Sequence, residues 1–294
     1  MYRPTRAVNP EVTGMNRGAP APVVVGVDGS GPSAHAVRLA AQEASLQHRP
    51  LHLMHAFNWL PEGAGLGGVR SRQDVEQLLG DAARDARAVA PEVETNVQIV
   101  EGAPLGALLH AATSAALLVV GDGYLDTRVC LPVDCTAVEV AARADSCVMV
   151  ARDAEQTPGP VLVGVDGTAG GDQALGFAFE AAALRGTELV IMHVSEEEPG
   201  AAAPGPPDPG PPEPTDGIGQ WRQKYPGVVA HRREMRGDPG GVLADAARHA
   251  ALLVVGARGE LPSRAALGPV SLSVLHHAPS PVVVVRHRPE PDGD

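Results

Sequence analysis

The chain is written twice. Laying 23-VVVGVDGSGPSAHAVRLAAQEA-44 over 161-VLVGVDGTAGGDQALGFAFEAA-182 needs no gap, and the same offset of 138 residues places 51-LHLMHAF-57 on 189-LVIMHVS-195. After small deletions 115-AALLVVG-121 meets the identical 250-AALLVVG-256, and 138-VEVAARADSCVMVAR-152 meets 272-LSVLHHAPSPVVVVR-286. A duplication this long confines the fold to two copies of one unit, each of domain size. Between them, 153-DAEQTPGP-160 has the polar, Pro- and Gly-containing composition of a linker. The predicted organisation is a flexible tail over 1–20, a first domain over 21–152, a linker over 153–160, a second domain over 161–287 and a tail over 288–294.

Within each copy, short β-branched runs alternate with longer Ala- and Leu-rich segments of helical period, the pattern of a parallel sheet with crossover helices. The strand runs are apolar throughout, as a sheet covered on both faces requires. In the first copy, strands are predicted near 22–27, 51–57, 95–100, 117–121 and 147–151, with helices near 32–48, 72–89, 104–114 and 134–144. In the second, strands fall near 161–165, 188–194, 228–235, 252–256 and 281–286. The stretch 195-SEEEPGAAAPGPPDPGPPEPTDG-217 is too rich in Pro and Gly to pack or to ladder, so residues 196–217 are predicted to be a disordered insertion. A surface insertion is the simpler reading, and a lid or docking segment the alternative.

Composition removes several function classes. No apolar run approaches the roughly 18 residues that span a bilayer, and the N-terminus lacks the apolar segment of a secretory signal. Three cysteines, Cys130, Cys135 and Cys147, make no disulfide framework and fit a reduced, cytoplasmic protein. The net charge of −12 is split evenly between the copies, and the best basic cluster, Arg232, Arg233 and Arg236, is interrupted by Glu234. Nucleic acid is therefore an unfavoured partner. Lys224 is the only lysine, and no GxxxxGK[ST] phosphate loop exists.

In an open parallel sheet, ligands collect beyond the carboxyl ends of the strands, where strand order reverses. Two loops per copy lie there: GVDGS (Gly26 to Ser30) or GVDGT (Gly164 to Thr168) after strand one, and 121–137 or 256–271 after strand four. Asp28 and Asp166 occupy places where a pyrophosphate needs bare amides, so their carboxylates suit the nucleoside end of a nucleotide, or a helix cap. In the second copy, Gly256 and Gly259 free the backbone, Gly268 permits close approach and Ser271 opens a helix. Amides at that helix start form a phosphate site without a lysine. Arg258 and Arg264 lie within the loop, either adding charge or projecting into solvent.

The VGVDGS opening, the MH strand, the LLVVG strand and the GARG...LGPVSLSVLHHAPSPVVVVR ending resemble the universal stress protein family in its tandem form, over residues 21–152 and 159–287. The resemblance implies an α/β fold of two tandem open five-stranded parallel-sheet domains, Rossmann-like, with strand order 3-2-1-4-5. It also implies pairing of the two domains through their last strands and ATP binding without clear catalysis. The family signature Gly-x2-Gly-x9-Gly-Ser/Thr carries over to Gly256, Gly259 and Gly268, with eight residues rather than nine before Gly268 and Pro269 in place of the hydroxyl residue. Ser271 matches the family's later serine, and the backbone contact to adenine falls at Val194. Copy one departs further. Tyr124 and Asp134 stand at the positions matching Gly259 and Gly268, and Asp122 and Asp126 add charge that repels phosphate, so ATP is expected in the second domain alone.

Other constellations are set aside. No G-x-S-x-G elbow occurs; His55 and His193 lie inside strands; adjacent His276 and His277 diverge on a helix; and the cysteines lack zinc spacing. The reading is a tandem universal-stress-type protein binding ATP through Asp166, Val194, Gly256, Gly259, Gly268 and Ser271, for stress regulation and not catalysis. The alternative is an interaction scaffold that binds no nucleotide. Association of two chains into a homodimer is left open.

Overall fold

The computed structural model describes residues 20–57, 71–123, 135–152, 158–196, 218–257 and 266–286. The first half contributes β1 (Val23–Gly26), α1 (Gly31–Leu46), β2 (Leu51–Phe57), α2 (Arg72–Val89), β3 (Thr95–Glu101), α3 (Pro104–Ala112), β4 (Leu117–Gly121), α4 (Thr136–Arg143) and β5 (Cys147–Ala151). The second contributes β6 (Val161–Val165), α5 (Ala169–Arg185), β7 (Leu189–Ser195), α6 (Ile218–Lys224), β8 (Ala230–Arg236), α7 (Pro239–Ala246), β9 (Leu252–Gly256), α8 (Pro269–His277) and β10 (Val282–Val285). A short 3-10 turn, Ala247–His249, follows α7.

Each half has the expected 3-2-1-4-5 order with parallel neighbours. The two sheets are not separate, however. β5 and β10 run antiparallel, with Val150 opposite Val282, Met149 opposite Val283 and Val148 opposite Val284, so all ten strands form one sheet in the order β3-β2-β1-β4-β5-β10-β9-β6-β7-β8.

The apolar strand runs have the cause anticipated for them. On β4, Leu117 and Val119 pack into the layer beneath α1, α2 and α5, while Leu118 and Val120 pack beneath α3, α4, α7 and α8. The innermost strands are buried on both faces, and only the outermost, β3 and β8, read as polar. Charges along β8 guard an edge that would otherwise recruit another strand. Helix starts are specified locally: Ser30 caps α1, Ser71 and Asp74 form a reciprocal capping box on α2, Thr168 caps α5 and Asp238 caps α7. No described helix is long and apolar enough to cross a membrane. The tails and most of the linker and Pro-rich insertion lie outside the described residues.

Candidate functional site

The chain leaves β6 through Asp166, Gly167 and Thr168, and Gly167 has φ +76°, a conformation a glycine adopts without strain. Asp166 is exposed, and its Oδ1 accepts from the Thr168 amide at 3.0 Å and the Thr168 hydroxyl at 2.6 Å. Thr168 in turn accepts from the Gly171 amide at 3.3 Å. The helix cap is thus Thr168, and Asp166 braces the turn with one oxygen.

A cleft of about 140 Å³ opens at this point, where strand order reverses between β6 and β9. Around it lie the ends of β6, β7 and β9 and the N-termini of α5, α7 and α8; its lining includes Asp166, Gly171, Val194, Gly256, Gly268 and Ser271. Five of the six sequence-predicted residues are therefore brought together. The sixth, Gly259, lies outside the described residues, as do Arg258 and Arg264. Two bare glycines let the walls close up: a Cβ on Gly164 would stand 2.8 Å from Leu243 Cδ1, and one on Gly240 would stand 2.5 Å from Ser273 Oγ, where α7 crosses α8.

Val194 presents its backbone to this space. Along β7, Glu188 accepts a bond from Val161 of β6, whereas Leu189 and Ser195 bond Val229 and Gly237 on the β8 side. Strand alternation turns the Val194 N–H and C=O toward β6. β6 ends at Val165, level with His193, so the Val194 carbonyl meets no further β6 residue.

The start of α8 differs from expectation in two details. The helix begins at Pro269 with Gly268 as N-cap, and Ser271 sits one turn in, buried, its hydroxyl donating to the Gly256 carbonyl at 2.6 Å. The Gly268 amide donates to the Ala257 carbonyl at 3.0 Å, and Pro269 has no amide proton. Among the described residues no side chain caps this helix, which leaves the Val270 and Ser271 amides as its outward donors. Ser271 ties the loop's two ends together with its side chain and offers a ligand its amide.

Copy one contains the feature that sequence reasoning passed over. Ser33 stands where copy two has Gly171, and its hydroxyl oxygen accepts from the amides of Asp28 at 3.4 Å and Gly29 at 3.2 Å while donating to the Ser30 carbonyl at 3.1 Å. The polar backbone of that turn is consumed internally. Burial pushes the Asp28 carboxyl up, but bonds from Ser30 and Ser33 outweigh it and leave the group below the usual range. In copy two a Cβ on Gly171 would stand 2.8 Å from Asp166 Oδ1, so the open turn depends on glycine there. Asp122 is buried and paired with Arg152; Tyr124, Asp126, Cys130 and Asp134 lie outside the described residues.

The Universal stress protein family pattern matches residues 21–152 and again 159–286. This chain belongs to that family. A universal stress protein of Mycolicibacterium smegmatis is 31% identical over 300 residues, covering 90% of this chain and 97% of that protein. One of Mycobacterium tuberculosis is 30% identical over 289 residues, covering 90% and 96%. Among solved structures, a universal stress protein from Archaeoglobus fulgidus superimposes with a TM-score of 0.68 at 18% identity, covering 92% of this chain and 98% of its own. That likeness concerns the fold.

Within this universal stress protein His55 and His193 are bonded to protein. His55 Nδ1 lies 2.6 Å from the Val27 carbonyl, and His193 Nδ1 lies 2.8 Å from Glu234 Oε2. Glu234 also accepts from Arg232 at 2.8 Å; burial acts against ionisation, and the His193 and Arg232 contacts overcome it, holding the carboxyl below its ordinary value. Among the described residues no group of three His, Cys, Asp or Glu side chains is placed to hold a metal ion. The cleft offers carbonyl and carboxylate acceptors at one end and helix amides at the other, a complement to a ligand with donors on one side and negative charge on the other.

Proposed function

We propose that the C-terminal cleft binds an adenine nucleotide, ATP, and that binding regulates a stress response in the cytoplasm without turnover. The supporting observation is the convergence of Asp166, Val194, Gly256, Gly268 and Ser271 on one cleft at the strand-order reversal. In this reading the Val194 carbonyl accepts from the adenine amino group. The outer oxygen of Asp166 accepts from a ribose hydroxyl. Gly256 and Gly268, with Gly259 carried from the sequence, keep the backbone bare beside the phosphates. The Val270 and Ser271 amides then meet negative charge at the positive end of α8.

The β5–β10 pairing extends to the protein in solution in this proposal: the halves stay paired within one chain, and the N-terminal copy serves as partner rather than as a second nucleotide site. Joining two apolar edges removes the surfaces on which unwanted strands would add.

Calorimetric titration with ATP tests the reading, with Gly268→Asp as the variant. An aspartate at the N-cap of α8 takes the Val270 or Ser271 amide for itself and repels phosphate, while helix capping keeps the fold stable. The expected result is saturable heat in the parent and none in the variant, with unchanged thermal stability. Silence in the parent sinks the nucleotide reading and leaves an interaction scaffold. Phosphate release above buffer background, abolished by the same substitution, would make it an ATPase.

A further inference from the structure

We propose that Arg152, anchored by Asp122, is a positioning residue through which the N-terminal half sets the anion-binding end of the C-terminal cleft. The inference rests on the nucleotide reading of that cleft and adds a control that the cleft itself does not contain.

Arg152 follows β5 and Asp122 follows β4, so both belong to the first half of the chain. Both are buried, and Arg152 Nη1 lies 3.6 Å from Asp122 Oδ2. The other terminal nitrogen, Nη2, crosses to the second half and donates to the Leu275 carbonyl. Leu275 lies in the last turn of α8, among the carbonyls a helix leaves without a partner of its own. A guanidinium there satisfies the carbonyl and faces the negative end of the helix dipole. The opposite end of α8 carries Gly268, Val270 and Ser271 on the cleft. The nine-residue helix is rigid, so a constraint at Leu275 is felt at Ser271, about 6 Å along the axis at ~1.5 Å per residue.

The contact has a counterpart. Arg286, which matches Arg152 in the repeat, donates through Nη2 to the Ala141 carbonyl at 3.1 Å, and Ala141 matches Leu275. Each half therefore grips the last turn of the other's final helix. Arg152 is paired with Asp122 of its own half, and the position matching Asp122 in the repeat is Ala257. The carboxylate stands in the half that steadies α8, the helix on the open cleft. It also lies beside α4, since the Cys135 thiol is 3.8 Å from the Asp122 carbonyl. Asp122 thus joins the N-terminal copy's fourth-strand loop to the C-terminal copy's anion site.

The experiment compares adenosine with AMP on the full chain by calorimetry, for the parent and for Arg152→Met, Asp122→Asn and Arg286→Met. Adenosine touches Val194 and Asp166 but not α8, so loss of α8 positioning weakens AMP alone. The expected result is AMP affinity reduced about tenfold in Arg152→Met, several-fold in Asp122→Asn, and adenosine affinity unchanged within about twofold in each. Arg286→Met removes a comparable interface bond and is expected to leave both affinities at the parent values. Should Arg152→Met fail to fold, Asp122→Asn, equal in volume and retaining the arginine, decides the matter. Equal weakening of both compounds, or none, overturns the inference while the nucleotide reading stands. A parent that takes up neither compound overturns the inference, and the ATP titration decides the nucleotide reading.

Discussion

A single substitution between the copies, Ser33 against Gly171, separates a closed turn from an open one. The hydroxyl of Ser33 occupies the amides of Asp28 and Gly29, whereas the bare Cα of Gly171 leaves room beside Asp166. Gly171→Ser is expected to place its Cβ against Asp166 Oδ1 and its hydroxyl on the Asp166 and Gly167 amides, weakening ATP at least tenfold with little change in melting temperature. A titration in which the variant binds as the parent does would show that the turn is not part of the site. Asp166, Gly256 and Gly268 are legible in the sequence because their residue types announce a turn or close approach; position 171 is not. A serine's preference for a neighbouring amide over solvent depends on the turn's geometry, which no spacing expresses. Ser271 was located for its amide, but the bond from its hydroxyl to Gly256 joins residues fifteen apart and emerges only when the loop is closed.

Elements were legible in proportion to how completely they are buried. The inner strands appear as continuous apolar runs because both faces are covered, and their boundaries lie within a residue or two of those expected. β8, expected over 228–235, runs from Ala230 to Arg236, an edge strand whose exposed charges blur both ends. α6 had no sequence signal: its seven residues follow the Pro-rich insertion and include none that is fully buried. Packing maintains it instead. Trp221 and Tyr225 stack with ring centroids 6.3 Å apart, and Tyr225 stacks on Phe179 of α5 at the same distance. The Trp221 ring lies against Gly176, where a Cβ would stand 2.5 Å from Cζ2. Gly176→Ala is therefore expected to cost about 1–3 kcal/mol by overpacking, despite alanine's better helix propensity. Urea unfolding measures the loss, and a Trp221→Ala background should recover most of it. A Gly176→Ala protein more stable than the parent would mean that α6 does not pack on α5 as described.

At the scale of the molecule, the repeat made a duplicated fold inevitable, but the chain's single sheet depends on contacts that have no meaning within one copy. Glu43 of α1 is such a residue: almost wholly buried, it pairs across the junction with Arg185 at the end of α5, which also donates to the Ala181 carbonyl at 3.2 Å. The matching position in the second copy is Ala181, so the repeat alone gives no reason for a carboxylate there. Burial pushes the Glu43 carboxyl up, and the attraction of Arg185, with a bond from Gln47, offsets only part of the rise. A carboxyl raised by folding binds its proton more tightly in the folded chain. Its contribution is full below the unfolded value of about 4.3 and is lost as pH climbs through the higher folded value. Glu43→Gln retains the shape and a neutral acceptor for Arg185 but cannot ionise. Melting temperatures taken across this range should show the parent losing ground to the variant as pH rises, with the difference levelling once Glu43 is fully ionised. A parent that gains on the variant with rising pH would mean that Arg185 outweighs burial and that the junction is held by a net-favourable ion pair, and parallel curves would mean that the two effects cancel, a distinction that decides whether the two halves are more tightly joined in mild acid or in neutral solution.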